Sequence, residues 1–489
     1  MKKRSFQHYL VVVMSLLFLF FNQTNLVHAN GLDWLVDKIT PQNEGPSSQD
    51  LTQEDIDIIA RVYHAIKYNY IEDIDKKTLL QGALKGMVNA TEDPYSEFLT
   101  EMESQEYDET VEGSFEGVGI QFMPQDGLMT VISAVDGTPA FEAGIQPNDI
   151  LLKADGKELI DLTTSEVLEL IRGPKGEEVT LTIQRADQTF DVTLIRDEIP
   201  IITVTGDIDK DTADIAHIKI TQFNGTTYEE LKDTIESMRN KGAKRFVFDL
   251  RYNPGGLLDQ ALSISNMFLN DGQTIMQVQD VHSEPFAYEA KDADYGDFQV
   301  TEPFVLLMNG GSASASEILA GAIKENTDAP LVGVTSFGKG TVQTIGDSSY
   351  LGELKLTHAK WLTPKGLWIH DTGIEPSVTV EPEKIESVIH LDSSTPIKKG
   401  EASLQTESLG IMLEGLGYLD NPKAYFDEAM EKAVKDFQSK EGIETTGIVE
   451  GKTTQLLLDQ VQEYFKHHDK QYDAAKETLL DMTSKDNAA

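Results

Sequence analysis

The residues N-G-G-S-A-S-A-S-E-I-L-A-G-A-I-K-E-N (309–326) and P-L-V-G-V-T-S-F-G-K-G-T-V-Q (330–343) decide how this chain reads. The apolar run Phe304–Met308 predicts a buried strand that enters a turn of small residues. Ile318, Leu319, Ala322 and Ile323 then fall on one helical face. Ser312, Ser314 and Ser316 stand at this strand-to-helix junction, where side chains are exposed and the first helical N–H groups are free to bind an anion. Leu331–Val334 is a second apolar strand, ending in F-G-K-G. The glycines beside Lys339 allow a tight bend and keep side chains away from its amine. Strands alternating with helices predict an α/β core.

A serine hydroxyl is a weak nucleophile until a base removes its proton. A lysine serves as that base only when neutral, which requires burial or a nearby positive charge to lower its pKa. Such serine–lysine pairs are a variant of the serine-nucleophile arrangement. The plain structural alternatives are a capping box, Ser314 with Glu317 three residues later, and a surface turn at G-K-G.

Together, G-S-A-S-A-S-E and F-G-K-G-T-V-Q resemble the motifs of the carboxyl-terminal processing peptidases, also called tail-specific proteases, and the resemblance runs over residues 50–380. It implies that Ser314 is the nucleophile, Lys339 the base and Gln343 the group that holds the lysine amine. It also implies that D-L-R-Y-N-P-G-G (249–256) helps to form an oxyanion hole. The donors would be the backbone N–H groups of Gly255 or Gly256 and of Ala315. Asp249 and Arg251 are expected to brace that turn. Its strand–glycine–helix form is also that of a phosphate loop, but no G-K-[ST] follows. Two rivals are local. Ser336-Phe337-Gly338-Lys339 matches the S-x-x-K of penicillin-binding proteins, yet that motif needs a helix, which F-G-K-G forms poorly. A Ser–His–Asp triad would draw on His217, His358 or His370, and the resemblance requires none of them.

Upstream, residues 113–200 read as a separate module. P-A-F-E-A-G-I-Q-P-N-D-I-L-L-K-A-D-G (139–156) is followed by a helix at Ser165–Ile171 and the alternating strands V-T-L-T-I and F-D-V-T-L-I. This order resembles a PDZ domain, which implies that a peptide adds as a strand beside the sheet. Its terminal carboxylate would meet the backbone N–H groups of Gly117, Val118, Gly119 and Ile120, where small residues permit close approach. Arg172 ends the helix near that groove, and its position suggests a sensor of peptide occupancy.

The chain holds 489 residues, room for several domains. Lys2, Lys3 and Arg4, the apolar run Leu10–Phe21 and Val27-His28-Ala29 form a signal-peptide pattern with cleavage expected after Ala29. Residues 30–112 read as helices, with Ile58, Ile59, Val62, Ala65 and Ile66 on one face and Leu79, Leu80, Ala83, Leu84 and Met87 on another. Residues 201–386 are the peptidase core and 387–403 a linker. Residues 404–463 resemble a small helical peptidoglycan-binding domain, with a self-association domain as the alternative, and the stretch to Asn487 reads as a polar helical tail. A net charge of −41 argues against nucleic acid as a partner, since phosphates would be repelled, and zero cysteines exclude thiol chemistry, disulfides and cysteine metal sites. The expected protein is therefore a multidomain α/β serine endopeptidase: an inserted PDZ domain, helical regions at both ends, no metal, no cofactor. It would be exported to the extracytoplasmic side of the envelope, take protein carboxyl ends as substrate and pair as a homodimer. The alternative from another class is a noncatalytic envelope scaffold.

Overall fold

The computed structural model describes residues 51–486 apart from 126, 281–282, 348–350 and 389–390. The signal-peptide pattern lies outside these residues. The chain divides into two compact units, residues 1–82 and 83–489. In the first, α1 (Gln53–Asn69) starts on a capping box between Thr52 and Asp55 and has no buried residue. Its apolar positions Ile59, Val62 and Ile66 are exposed. Then α2 (Lys76–Asn89) runs across the boundary.

The second unit begins with β1 (Glu97–Leu99), α3 (Glu101–Glu112) and β2 (Ser114–Gly117). The chain then leaves to build the PDZ-like module. Its elements are β3 (Ile120–Gln125), β4 (Leu128–Ala134), α4 (Pro139–Glu142), β5 (Ile150–Ala154), β6 (Lys157–Glu158), α5 (Thr164–Ile171), β7 (Glu178–Arg185) and β8 (Gln188–Ile195). It returns through β9 (Asp197–Pro200), which pairs antiparallel with β2, so a two-stranded stem carries the module. The sheet order β3-β4-β5-β7-β8 leaves β3 at an edge, open to strand addition.

The core follows: β10 (Val204–Ile208), β11 (Ile215–Ile220), α6 (Thr227–Asn240), β12 (Arg245–Asp249), α7 (Leu258–Asn266), β13 (Thr274–Asp280), β14 (Phe286–Glu289), α8 (Asp292–Tyr295), β15 (Phe304–Met308), α9 (Ala315–Asn326), β16 (Leu331–Gly333), β17 (Thr341–Asp347), β18 (Glu353–Leu362) and β19 (Val378–Thr379). One sheet has the order β10-β11-β12-β15-β16-β19, parallel except at β10–β11. Alternation along β12 sorts its residues onto two faces. Phe246 and Phe248 pack with Leu231, Ile235, Ala261, Leu319 and Ile323 from α6, α7 and α9, and Val247 faces the other way. A second sheet, β1-β18-β13-β14 with β17 on β18, receives the chain directly after Lys339.

The last part differs from its expected plan. Three helices, α10 (Leu404–Gly415), α11 (Glu428–Lys440) and α12 (Lys452–Phe465), share a core with Ile385, Leu391 and Ile397. Residues 387–403 thus contribute packing, including a bridge from Ile397 to Val449, and are more than a linker. The expected polar tail is α13 (Lys470–Asp486), and it covers the second face of the parallel sheet. Ala475 and Leu479 are buried there against Ile215, Val247, Val305, Leu307 and Val332. Burying one such leucine stabilises by about 2 kcal/mol. The module at 384–465 is therefore an insertion into the core, stitched at its neck by Tyr464 to Glu383 (2.7 Å) and Gln471 to the Val380 carbonyl (2.8 Å).

Candidate active site

Strand β15 ends at the junction of the three serines. Ser312 Oγ donates to the Leu250 carbonyl at 2.8 Å and accepts from Asn309 N–H at 2.9 Å. Ser316 Oγ donates to the Asn253 carbonyl at 3.0 Å. Both hydroxyls are buried and occupied; Ser314 is half-buried, and its hydroxyl has no such tie to the neighbouring turn. Ser314 has φ 54° and ψ −112°, a sparsely populated conformation for a side-chain-bearing residue, at a cost of about 1–3 kcal/mol. The expected capping box is met through Glu317, which accepts the Ser314 N–H at 2.8 Å, while the Ser314 hydroxyl makes no cap hydrogen bond of ordinary geometry. A strained residue at a strand-to-helix turn is the backbone form of a nucleophile elbow.

Residues 335–340 form no helix, and the backbone N–H groups of Ser336 to Gly340 all have partners. Phe337 N–H donates to the Ser312 carbonyl (3.0 Å). Gly338 N–H and Lys339 N–H donate to Glu317 (2.6 and 2.8 Å). The carbonyls of Lys339 and Gly340 accept from the indoles of Trp361 (2.7 Å) and Trp368 (2.8 Å). Gly340 N–H donates to His370 Nδ1 at 3.3 Å. Ser336 Oγ donates to Glu317 at 2.6 Å and accepts from Ile374 N–H at 2.7 Å, so this buried hydroxyl is occupied and shares no helix with Lys339. Gly338, at φ +92°, makes the expected tight bend, while Gly340 has a different use from the expected one. A Cβ on Gly340 would lie 2.8 Å from His370 N and 2.9 Å from Trp368 Nε1, so it would strike the 368–370 segment rather than the amine.

Lys339 Nζ lies 4.9 Å from the ring centroid of Tyr95. Burial pushes this amine below its ordinary pKa and neighbouring Lys355 pushes it further, against Asp93 and Glu317. Among the described residues no hydrogen bond joins this amine to Ser314 Oγ; such contacts often tighten only with substrate bound. Gln343 Nε2 donates to the hydroxyls of Thr341 and Thr357, each at 3.0 Å, and not to the lysine.

The D-L-R-Y-N-P-G-G turn reaches the same place. Asn253 is fully buried; its Nδ2 donates to the Ile220 carbonyl (2.9 Å) and its carbonyl accepts from Ala313 N–H (3.0 Å). A Cβ on Gly255 would sit 2.8 Å from Ser314 Cβ and 2.9 Å from Ala315 N, so this glycine packs directly on the serine elbow. Gly255 N–H is already donated to Asn253 Oδ1 at 2.8 Å, whereas the N–H groups of Gly256 and Ala315 donate to no other described group. Asp249 and Arg251 brace the turn as expected: Arg251 N–H and Nε donate to Asp249 Oδ1 at 2.9 and 3.0 Å. Burial opposes ionisation of Asp249, but His217 and Arg251 outweigh it and hold the carboxyl well below its usual range. His217 is thus a structural partner of Asp249, and His370 is held by the 335–340 loop and stacked on Trp368.

At the PDZ-like groove, Gly119 has φ +80°, and a Cβ there would fall 2.2 Å from Thr138 Oγ1. The N–H groups of Val118 and Gly119 donate to no other described group. Gly117 and Ile120 end the flanking strands β2 and β3. Arg172 caps the C-terminus of α5 and reaches out of the module: Nη1 pairs with Glu109 of α3 at 2.7 Å, and the guanidinium lies 4.7 Å from the Phe115 ring centroid. Sequence reasoning missed the anchoring by Glu317 and Asn253, both polar residues inside motifs already quoted, and Tyr95, which no motif marks. Among the described residues no cluster of side chains suits a metal ion, and no helix is long and apolar enough to cross a membrane.

Four family models match the chain. They are peptidase family S41 at residues 214–380, a PDZ domain at 130–185, the activating protease CtpB N-terminal domain at 19–103, and a peptidoglycan binding domain at 405–457. The chain is 39% identical over 436 residues to the carboxy-terminal processing protease CtpA of Bacillus subtilis (strain 168), covering 89% of this chain and 92% of that one. It is 35% identical over 425 residues to the "Probable CtpA-like serine protease" of Staphylococcus aureus (strain COL), covering 85% and 83%. Among solved structures it is similar to a photosystem II D1 C-terminal processing protease, at 23% identity and TM-score 0.39 over 68% of this chain and 94% of that one.

Proposed function

Because the chain belongs to peptidase family S41 and is a PDZ-containing carboxy-terminal processing serine protease, we propose that it cuts exported proteins near their carboxyl ends with Ser314 as nucleophile and Lys339 as general base. The observation that carries this is the buried Glu317 carboxylate, which accepts backbone N–H groups from both Ser314 and Lys339 and so fastens elbow and loop to one point. Neutral Lys339 takes the Ser314 proton as Oγ attacks the scissile carbonyl, then returns it to the leaving amine. Water repeats the exchange on the acyl-enzyme. A positioned base of this kind contributes about 10²–10⁴-fold. The oxyanion is received by Ala315 N–H and Gly256 N–H, since that of Gly255 is already donated. Gln343, fixed through Nε2 on Thr341 and Thr357, holds the amine with its side-chain carbonyl. No cofactor enters the scheme.

The PDZ domain captures the substrate tail: its carboxylate meets the Val118 and Gly119 N–H groups, and the peptide extends along β3. Arg172, paired with Glu109 of α3, reports that occupancy to the rest of the molecule. The module at 384–465 contacts peptidoglycan, which suits an exported enzyme at the extracytoplasmic face, and the exposed apolar stripe of α1 serves a homodimer.

The test is cleavage of an unstructured protein by the wild type and by Ser314→Ala, with cut positions read by mass spectrometry. Cuts near the carboxyl end that vanish in Ser314→Ala support the reading. Equal cleavage by Ser314→Ala, or labelling of Ser336 by an acylating serine probe, overturns it.

A further inference from the structure

The turn that carries Gly255 and Gly256 is supported by a part of the chain far away in sequence. Arg251 is buried between two carboxylates. On one side its Nε and Nη2 donate to Asp249 at 3.0 and 2.7 Å. On the other its Nη1 and Nη2 donate to the two oxygens of Asp469 at 2.7 and 2.6 Å. A two-point pair of this kind fixes the plane of the guanidinium as well as its position. Asp469 immediately precedes α13, and its Oδ1 also accepts the Tyr472 N–H at 2.9 Å, so one carboxylate both caps that helix and clamps the arginine. Burial opposes ionisation of Asp469, but Arg251 outweighs it and keeps the carboxyl below its ordinary range. The helix itself is held elsewhere, by Leu479 in the apolar face and by Tyr472 and Lys476 on Asp209 at 3.0 and 3.2 Å.

We infer that Asp469 is a positioning residue for peptide cleavage: through Arg251 it sets the 251–256 turn, so the order of the oxyanion donors depends on the segment that leaves the inserted 384–465 module. This rests on the assignment of Gly256 and Ala315 as donors. The carboxylate touches neither substrate nor serine. Without it the guanidinium keeps Asp249 and one long contact, 3.5 Å, from Nη1 to the Gln471 side-chain carbonyl, and the turn is free to tilt about the Asp249 contact. A displacement near 1 Å at a reacting group costs up to about 10²-fold in rate. The link also gives the inserted module a mechanical path to the site, because its exit runs through Tyr464, Lys470 and Gln471, which bond to Glu383, the Glu381 carbonyl and the Val380 carbonyl.

The experiment uses the full chain and measures kcat and KM on a peptide substrate, with active sites counted by an acylating serine probe, alongside thermal melting. The variants are Asp469→Ala, Asp469→Asn, Asp469→Glu, Arg251→Ala, the Arg251→Ala/Asp469→Ala double variant, and Lys476→Ala as the control that weakens the same helix without touching Arg251. Expected is a fall in kcat of about 10–100-fold for Asp469→Ala and Asp469→Asn with KM within about twofold. Asp469→Glu recovers part of it, and the double variant is no worse than Arg251→Ala. Lys476→Ala melts lower but keeps kcat. Wild-type kcat in folded Asp469→Asn overturns the inference, and so does an equal kcat loss in Lys476→Ala, which would trace the effect to helix docking in general. Should Asp469→Ala fail to fold, Asp469→Asn, which keeps the side chain's shape, carries the comparison. Cleavage that survives in Ser314→Ala is a different failure, that of the serine reading beneath it.

Discussion

Glu317 accepts the backbone N–H of Lys339 at 2.8 Å through the same oxygen that accepts the N–H of Ser314 at 2.8 Å. The other oxygen takes Ser336 Oγ and Gly338 N–H, each at 2.6 Å. Four donors thus converge on one buried carboxylate. Removing it leaves several buried donors unsatisfied, each at about 1–3 kcal/mol. Glu317→Ala is expected to lose several kcal/mol in urea denaturation, and its remaining folded fraction to lose most of its kcat. Glu317→Gln keeps one acceptor but turns an N–H₂ toward donors, and falls between the two. Unchanged stability in Glu317→Ala would remove the anchor.

The pH profile tests the base. Only the neutral amine accepts a proton, so kcat/KM rises with pH through the Lys339 pKa. Burial and Lys355 lower that pKa, so the limb lies below that of an ordinary lysine. Lys355→Gln removes one lowering influence, so the rising limb moves to higher pH, while the plateau stays within about threefold. A limb that stays in place would detach Lys355 from the amine.

Gly255 and Gly242 separate conformational strain from steric intrusion. Both have positive φ, +100° and +101°, but a Cβ at Gly242 meets nothing within 4 Å. Gly242→Ala is expected to lose about 1–2 kcal/mol from backbone strain and no activity. Gly255→Ala adds a collision with the Ala313 carbonyl at 2.7 Å, and its kcat is expected to fall by about 10²-fold or more. Chemical melts and kcat on both variants check this.

Arg172 and Glu109 predict a regulatory phenotype. Cleavage of a short peptide substrate is to be measured with and without a second peptide that ends in a free carboxylate. The wild type is expected to be stimulated; Arg172→Ala and Glu109→Gln are expected to lose most of that stimulation, with KM for the short substrate unchanged. A half-buried pair of this kind is worth about 1 kcal/mol, which sets a change of about fivefold. Full stimulation in Arg172→Ala would rule out the sensing role.

The α/β core, the PDZ-like module and the helix after the serines were legible because each rests on short-range pattern: apolar runs, glycine turns and period-2 alternation. The serine elbow was legible as a motif, yet the reason Ser314 differs from Ser312 and Ser316 was not. That difference comes from the partners of the flanking hydroxyls, Leu250 and Asn253, some sixty residues away in sequence. Glu317 looked like half of an ordinary cap because its other donors come from the following loop. Helix α13 reads as a tail from sequence because Tyr472, Ala474, Ala475, Leu479 and Met482 are set among charged and polar residues, and the stripe is convincing only once the bare face of the sheet is known.

The covering of that face by α13 has a bearing on biogenesis. Residues 470–486 are synthesised after all strands of the parallel sheet and after the whole inserted module. Until they arrive, Ile215, Val247, Val305, Leu307 and Val332 have no partner layer and Arg251 lacks one of its two anions. The sheet face is therefore closed, and the Arg251 pairing completed, only by the last residues of the fold to be made.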